Sequence, residues 1–178
     1  MRFLVGQVAG GSAVFLVSGH NAINLTERDQ SIGSDLMGII MAEMTSTDIE
    51  SRAAGATAVP LVSIKPALPI LSPGLVMCLG LNYVDHIKEG GYDIPEYPVF
   101  FMRGNKSLMP AGAPMIRPLC SEQLDYEAEL MIIIGKGGKR ISESDALSHV
   151  FGYTIFNDGS VREYQRKTHQ WIAGKNFD

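Results

Sequence analysis

The stretch DYEAELMIII, residues 125–134, places Glu127 and Glu129 two residues apart, directly before an unbroken apolar run. Its aliphatic and β-branched content predicts a strand. Side chains alternate across a strand, so the two glutamates share one face, their β-carbons about 7 Å apart along the chain. Leu130, Ile132 and Ile134 take the other face, while Met131 and Ile133 follow the glutamates, whose face therefore turns apolar within one residue. Partly buried like charges repel and lose hydration, and a bound cation is the simplest compensation. Read alone, the segment is more simply an antiparallel strand with one wet face. What the rest of the chain offers the two carboxylates decides between these readings.

The composition is that of a globular protein: 46% of the 178 residues are hydrophobic and 19% are charged, close to ordinary soluble usage. That length suits one moderate domain, or a small domain joined to part of a larger one. A formal charge of −4 and a pI near 5.5 supply no basic stripe for a phosphate backbone. This argues against nucleic acid and for small molecules or proteins as partners. The apolar start MRFLVGQVAGGSAVFLVSG is interrupted by Gly6, Gln7, Gly10 and Gly11 before a signal-peptide core can form. It reads as two strands of a hairpin around Gly10 and Gly11. No segment reaches the length needed to cross a bilayer, so no membrane association is expected. Cys78 and Cys120 lie far apart in an acidic chain without secretory features, which predicts reduced, buried thiols in the cytoplasm.

Residues 1–25 predict a β meander. In SDLMGIIMAEM, Leu36, Ile39, Ile40 and Met44 fall at helical spacing with Ser34 placed to cap, and Thr47 with Glu50 matches a capping box for a second short helix. Pro60, Pro66, Pro69 and Pro73 then favour extended chain and mark a boundary between a small N-terminal domain, residues 1–70, and a second domain, residues 71–178. Beyond it, LVMCLG and VFFMRG predict strands, and NYVDHIKEGG a short helix ended by Gly90 and Gly91. SESDALSHVFG predicts a helix capped by Ser142, YTIFND a strand, and residues 162–167 another short helix.

Three groups of side chains could carry chemistry. Asp158 ends the YTIFND strand, where an aspartate is usually a turn residue or cap; with Glu127 and Glu129 it would make a hard, oxygen-rich site suited to Mg²⁺ or Mn²⁺. No cysteine and histidine cluster competes for zinc. His86 and Glu89, at i and i+3, lie on one side of a short helix, where a carboxylate can orient an imidazole as a general base. An isolated pair of this kind is more simply an exposed helix pair, and His20, His149 and His169 read as surface residues. Arg162 and Gln165 would share one side of a helix starting near Gly159. Arginine grips carboxylates in a fork, and Lys175 could neutralise a developing oxyanion; the plain alternative is a solvated polar face.

Together these segments resemble the fumarylacetoacetate hydrolase family, in its smaller bacterial-type and mitochondrial acylpyruvase-like branch. The stretches GLNYVDHIKE, PVFFMRGNKSL, LDYEAELMIIIGKGGKRI, HVFGYTIFNDGSVREYQ and WIAGKNFD stand in the family's order over about residues 74–178. The E-x-E strand followed by N-D-x-x-x-R-x-x-Q is the specific part. The resemblance implies an α+β, mostly β protein: a mixed β-roll catalytic domain with a divalent metal at its mouth, behind a small N-terminal α/β domain. By motif position Glu127, Glu129 and Asp158 would be metal ligands for Mg²⁺ or Mn²⁺, with Ca²⁺ as a further hard ion. His86 with Glu89 would be the base dyad, on a segment able to order as a lid, and Arg162, Gln165 and Lys175 would contact substrate. A homodimer is implied as well. Two departures stand out. Arg103 occupies a position where the family often has lysine, and family members normally continue beyond K-x-F-D into further strands, including a Gly-Thr-Pro segment. Lacking those strands, the roll would leave sheet edges open.

The activity this implies is metal-dependent hydrolysis of a carbon–carbon bond in a 2,4-dioxo acid such as an acylpyruvate or fumarylpyruvate, with the metal as Lewis acid and template. His86, oriented by Glu89, would deprotonate the attacking water, Lys175 would stabilise the oxyanion, and Arg162 or Gln165 would anchor a carboxylate. An enolate is common to isomerisation, tautomerisation, decarboxylation and dehydration of 2-oxo acids, so the same site could serve any of these. A third reading is a non-catalytic metal-binding or oligomerisation module.

Overall fold

The N-terminal apolar runs form β1 (Arg2–Val8) and β2 (Gly11–Ser18), an antiparallel hairpin in which Val8 faces Gly11. Gly10 turns the chain at a φ of 84°, a left-handed conformation that glycine adopts without steric cost. β3 (Asn21–Asn24) pairs back on β2. The side chain of Asn24 then accepts the Glu27 N–H at 3.0 Å and starts α1 (Leu25–Arg28). α2 (Met37–Met41) and α3 (Ser46–Ala53) follow, and β4 (Ala58–Pro60) completes a four-stranded antiparallel sheet in the order β1-β2-β3-β4.

Both expected caps are displaced. Leu36 occupies the N-cap position of α2, and Asp35 rather than Ser34 meets its first turn: the Asp35 carboxylate accepts the Met37 N–H at 2.9 Å and, from its other oxygen, the Leu71 N–H at 2.8 Å. The capping box of α3 is Thr45 with Asp48, two residues before the expected Thr47 and Glu50. Aspartate there reaches both the N–H and the hydroxyl of Thr45. Leu36, Ile39, Ile40 and Ile49 from these helices pack with Val5, Val14, Leu25, Ile32 and Ala53 into one buried cluster. Each such aliphatic side chain contributes about 1.5–3 kcal/mol.

The computed structural model describes residues 1–177, and the chain packs as two units. Residues 1–71, 109–114 and 129–156 make the first, and residues 72–108, 115–128 and those from 157 onward the second. In the second unit β5 (Val76–Gly80) pairs antiparallel with β6 (Val99–Arg103), with α4 (Val84–Glu89) between them in sequence. Cys78 is half-buried on β5 and Cys120 is exposed in the loop before β7 (Leu124–Asp125), so the expectation of two buried thiols fails. The Cys120 side chain hydrogen-bonds that of Tyr164.

The stretch DYEAELMIII is not one strand. β7 ends at Asp125, and β8 (Ala128–Ile134) begins after a break at Tyr126 and Glu127. The break follows from a change of partner. β8 pairs with β9 (Val150–Asn157), whereas β7 pairs with β10 (Ser160–Val161). The two glutamates therefore do not share one continuous strand face. The wet face is inverted too: Glu129, Met131 and Ile133 are half-buried, while Leu130, Ile132 and Ile134 are 62%, 50% and 61% exposed. Ile133 and Phe151 pack on the N-terminal core, where Phe151 stacks on Phe3 at 6.3 Å, and this fixes which side turns inward.

The helix expected after Ser142 is a 3₁₀ helix over residues 143–149; Ser142 stands at its N-cap position, but its hydroxyl bonds the Asp145 side chain at 2.7 Å and caps no backbone group. His149 is half-buried, its Nδ1 2.8 Å from the Lys136 carbonyl, and so is no plain surface residue. α5 (Arg162–Gln165) and α6 (Ile172–Lys175) close the second unit. Trp171 meets Phe101 edge to face at 5.8 Å there. Among the described residues no helix is long and apolar enough to cross a membrane.

Candidate active site

Within the second unit two segments run together as a clamp. β7 and β10 pair Asp125 with Ser160 and Leu124 with Val161. The ladder is extended on both sides by Asp158 N–H to the Glu127 carbonyl and Arg162 N–H to the Gln123 carbonyl, each 2.9 Å. The Asn157 side chain accepts the Glu127 N–H at 3.1 Å. Residues 125, 127, 158 and 162 are thus brought together by backbone pairing before any side chain acts.

Charge does the rest. Asp158 is buried, its side chain 4% exposed, and gives one oxygen each to two cations: Oδ1 to Arg103 Nε at 2.5 Å and Oδ2 to Lys175 Nζ at 2.7 Å. Glu127 is held the same way, Oε1 by Arg162 Nη1 at 2.5 Å and Oε2 by Lys175 Nζ at 2.8 Å. Arg162 also reaches Asp125 at 2.9 Å and the Gln165 side-chain oxygen at 2.9 Å. Arg103 donates its second bond to the Gly159 carbonyl. Three carboxylates and three cations make the cluster neutral, which a site this dry requires. Burial alone would push the Asp125 carboxyl up, but the bond and charge of Arg162, the Tyr126 N–H and the charge of His86 bring it below the usual carboxylate value. Burial would likewise lower Arg162, and its bonds and charge contacts with Asp125 and Glu127 raise it above its ordinary value.

Lys175 is placed by α6. Gly174 lets α6 approach α5: a β-carbon there would stand 2.4 Å from the Gln165 backbone nitrogen. Asn176 ties α6 to β6, donating to the Met102 carbonyl at 3.1 Å and accepting the Gly104 N–H at 2.6 Å. The Lys175 ammonium lies 5.1 Å from the Phe101 ring centre, a cation–π distance.

Of the residues singled out by sequence, Glu127, Asp158, Arg162, Gln165 and Lys175 therefore come together. Arg162 and Gln165 are three residues apart, the first and last residues of α5, which begins at Arg162 and not near Gly159. His86 and Glu89 lie together on α4, Nδ1 to Oε2 at 3.8 Å, with side chains 54% and 85% exposed; His86 is close enough to act on Asp125 by charge. Glu129 lies on the half-buried face of β8 in the other unit. Arg103, Asp125 and Asn176 carry parts that sequence reasoning did not assign. Asp125 stands two residues before Glu127, the same interval that drew attention to Glu129, so that signal was present.

Among the described residues no group of three or more His, Cys, Asp or Glu side chains is arranged to hold a metal ion. Two carboxylate oxygens do converge on a single cationic point, the Lys175 Nζ. The donor chemistry, two carboxylates around one positive centre, fits a hard divalent ion.

Comparison with known proteins sets this charge-compensated carboxylate clamp, on its mixed α and β scaffold, in a family. Residues 75–178 match the family model described as fumarylacetoacetate (FAA) hydrolase C-terminal. The chain belongs to the fumarylacetoacetate hydrolase family. It is 36% identical over 167 residues to the fumarylacetoacetate hydrolase domain-containing protein 2 homolog of Dictyostelium discoideum, covering 89% of this chain and 54% of that protein. It is 33% identical over 165 residues to the human oxaloacetate tautomerase FAHD2A, mitochondrial, covering 90% of this chain and 52% of the relative. Among solved structures, a fumarylacetoacetate hydrolase from psychrophilic Exiguobacterium antarcticum superposes with a TM-score of 0.79 at 29% identity, over 99% of this chain and 62% of that one. The chain thus spans about half the length of the curated relatives it matches.

Proposed function

We propose that residues 71–178 form the catalytic domain of a divalent-metal-dependent enzyme that hydrolyses a carbon–carbon bond in a 2,4-dioxo acid of acylpyruvate or fumarylpyruvate type. The observation that carries this reading is the convergence of Glu127 Oε2 and Asp158 Oδ2 on one positive centre, with arginines fixing their outer oxygens. Glu127, Glu129 and Asp158 would hold Mg²⁺ or Mn²⁺, with Ca²⁺ a further hard candidate; bound there, the ion supplies a Lewis acid and a template for the carboxylate and keto oxygens of a 2-oxo acid. Arg162, steadied by Gln165, offers a fork for a substrate carboxylate. His86 turns Nδ1 toward Glu89, which leaves Nε2 to take a proton from water. Lys175 supplies a donor to the oxyanion formed at the attacked carbonyl. Family resemblance further supports a homodimer, and the acidic, thiol-bearing composition supports a cytoplasmic location.

A second reading is keto–enol tautomerisation of a 2-oxo diacid, favoured by the human relative's name at 33% identity over 90% of this chain. In that reaction His86 would carry a proton between carbon and oxygen of the substrate and no water would attack. Two assays separate these readings: pyruvate release from acylpyruvates, and enol-to-keto conversion of oxaloacetate, each with Mg²⁺ or Mn²⁺ after chelation. Either activity is expected to vanish with chelator and to fall by about 10²-fold or more in Glu127→Ala, since even outer-shell partners of a metal cost 10–100-fold. A Glu127→Ala protein with full, chelator-insensitive turnover would sink both.

A further inference from the structure

The pairing around Glu127 and Asp158 is asymmetric. Each carboxylate gives one oxygen to an arginine, Glu127 Oε1 to Arg162 and Asp158 Oδ1 to Arg103, both at 2.5 Å. Those guanidinium groups are planar and held a second time, Arg162 by Asp125 and Gln165, Arg103 by the Gly159 carbonyl. The remaining two oxygens share one cation of a different kind. The Lys175 ammonium is a compact point charge on a flexible four-carbon stem, 2.8 Å from Glu127 Oε2 and 2.7 Å from Asp158 Oδ2. It is also the largest fully buried side chain, 2% exposed. A divalent ion ligated by the same two oxygens at about 2.1 Å would need the space the ammonium fills. Two positive centres cannot share it.

We propose that the Lys175 ammonium is an exchangeable counter-ion of the Glu127–Asp158 pair, displaced when a divalent cation enters between the same two oxygens. This rests on the metal reading above and deepens it. The ammonium keeps two dry carboxylates from repelling each other when no ion is bound, and displacement frees its amine to meet a substrate. The lysine thus competes with the metal and lowers its apparent affinity, while the arginines hold both carboxylates in place throughout.

The test follows Mn²⁺ binding to the chelator-stripped chain by calorimetry and, in parallel, acetylation of Lys175 by acetic anhydride read by peptide mass spectrometry. In the unaltered protein, Mn²⁺ is expected to raise Lys175 acetylation severalfold. Lys175→Met is expected to bind Mn²⁺ about tenfold more tightly, a difference of about 1.4 kcal/mol. The labelling arm needs no variant, so it stands even if Lys175→Met fails to fold. It also separates displacement from the mere removal of a positive charge. Mn²⁺ binding with Lys175 still protected, or weaker binding by Lys175→Met, would overturn displacement and leave the metal reading intact. Absence of Mn²⁺ binding to the unaltered protein would overturn both.

Discussion

Asp158→Asn is expected to cost the second unit about 3–5 kcal/mol, the usual penalty for removing one partner of a buried pair. Asp158, Arg103 and Lys175 have side chains only 4%, 4% and 2% exposed, so neither cation can turn to water when the carboxylate goes. The replacement amide is neutral and must point its NH₂ at one of the two cations, which adds a clash of donors to the loss of charge. The melting temperature is expected to fall by on the order of 10 °C, since each kcal/mol is worth a few degrees in a chain of this size. Asp125→Asn is the control. Its side chain is 48% exposed and Arg162 keeps Glu127, so a loss within about 1 kcal/mol is expected. An Asp158→Asn protein that melts with the unaltered chain would show that the cluster is not what holds this unit.

Gly174→Ala is expected to separate position from charge. No charged group changes, yet the added β-carbon would stand 2.4 Å from the backbone nitrogen of Gln165 and 2.7 Å from its Cα. Backbone cannot rotate out of the way, so α6 must move off α5. Overpacking of this kind costs about 1–3 kcal/mol. The larger effect falls on the next residue, Lys175, which α6 delivers to the carboxylates. Catalytic turnover is expected to drop more than stability does, and a calorimetric melt beside a turnover assay reads the two separately. Ala173, exposed one position earlier, is expected to accept serine within about 0.5 kcal/mol. Equal turnover in Gly174→Ala and the unaltered protein would remove α6 from the account of the site.

Much of this architecture could be read along the chain because the signals are local. The hairpin around Gly10, the strands β5, β6 and β9, and the short helices α4 and α5 follow from alternation, glycine turns and apolar runs within a few residues. The capping box slipped by two residues because Thr45 with Asp48 and Thr47 with Glu50 fit the same pattern, and only packing chooses between them. The break at Tyr126 and Glu127 was illegible for a different reason. Strand pairing is decided by partners far along the chain, here β9 for one half and β10 for the other. Glu127 and Asp158 stood out as carboxylates beside apolar runs, and Arg162 and Lys175 as cations near them, whereas Asp125 and Arg103 gained no role. Which cation meets which carboxylate was illegible, since Arg103 and Lys175 reach Asp158 from 55 and 17 positions away, and no spacing rule reports such pairings.

The ion pairs around Glu127 and Asp158 in the second unit form one continuous relay. From Arg103 through Asp158, Lys175, Glu127 and Arg162 to Asp125, every link ends on a group that also serves the next. Losses in such a relay overlap. A double variant of Asp158 and Lys175 should be milder than the sum of its singles, with a coupling of about 0.5–3 kcal/mol, so no residue in the relay owns a separable portion of the stability.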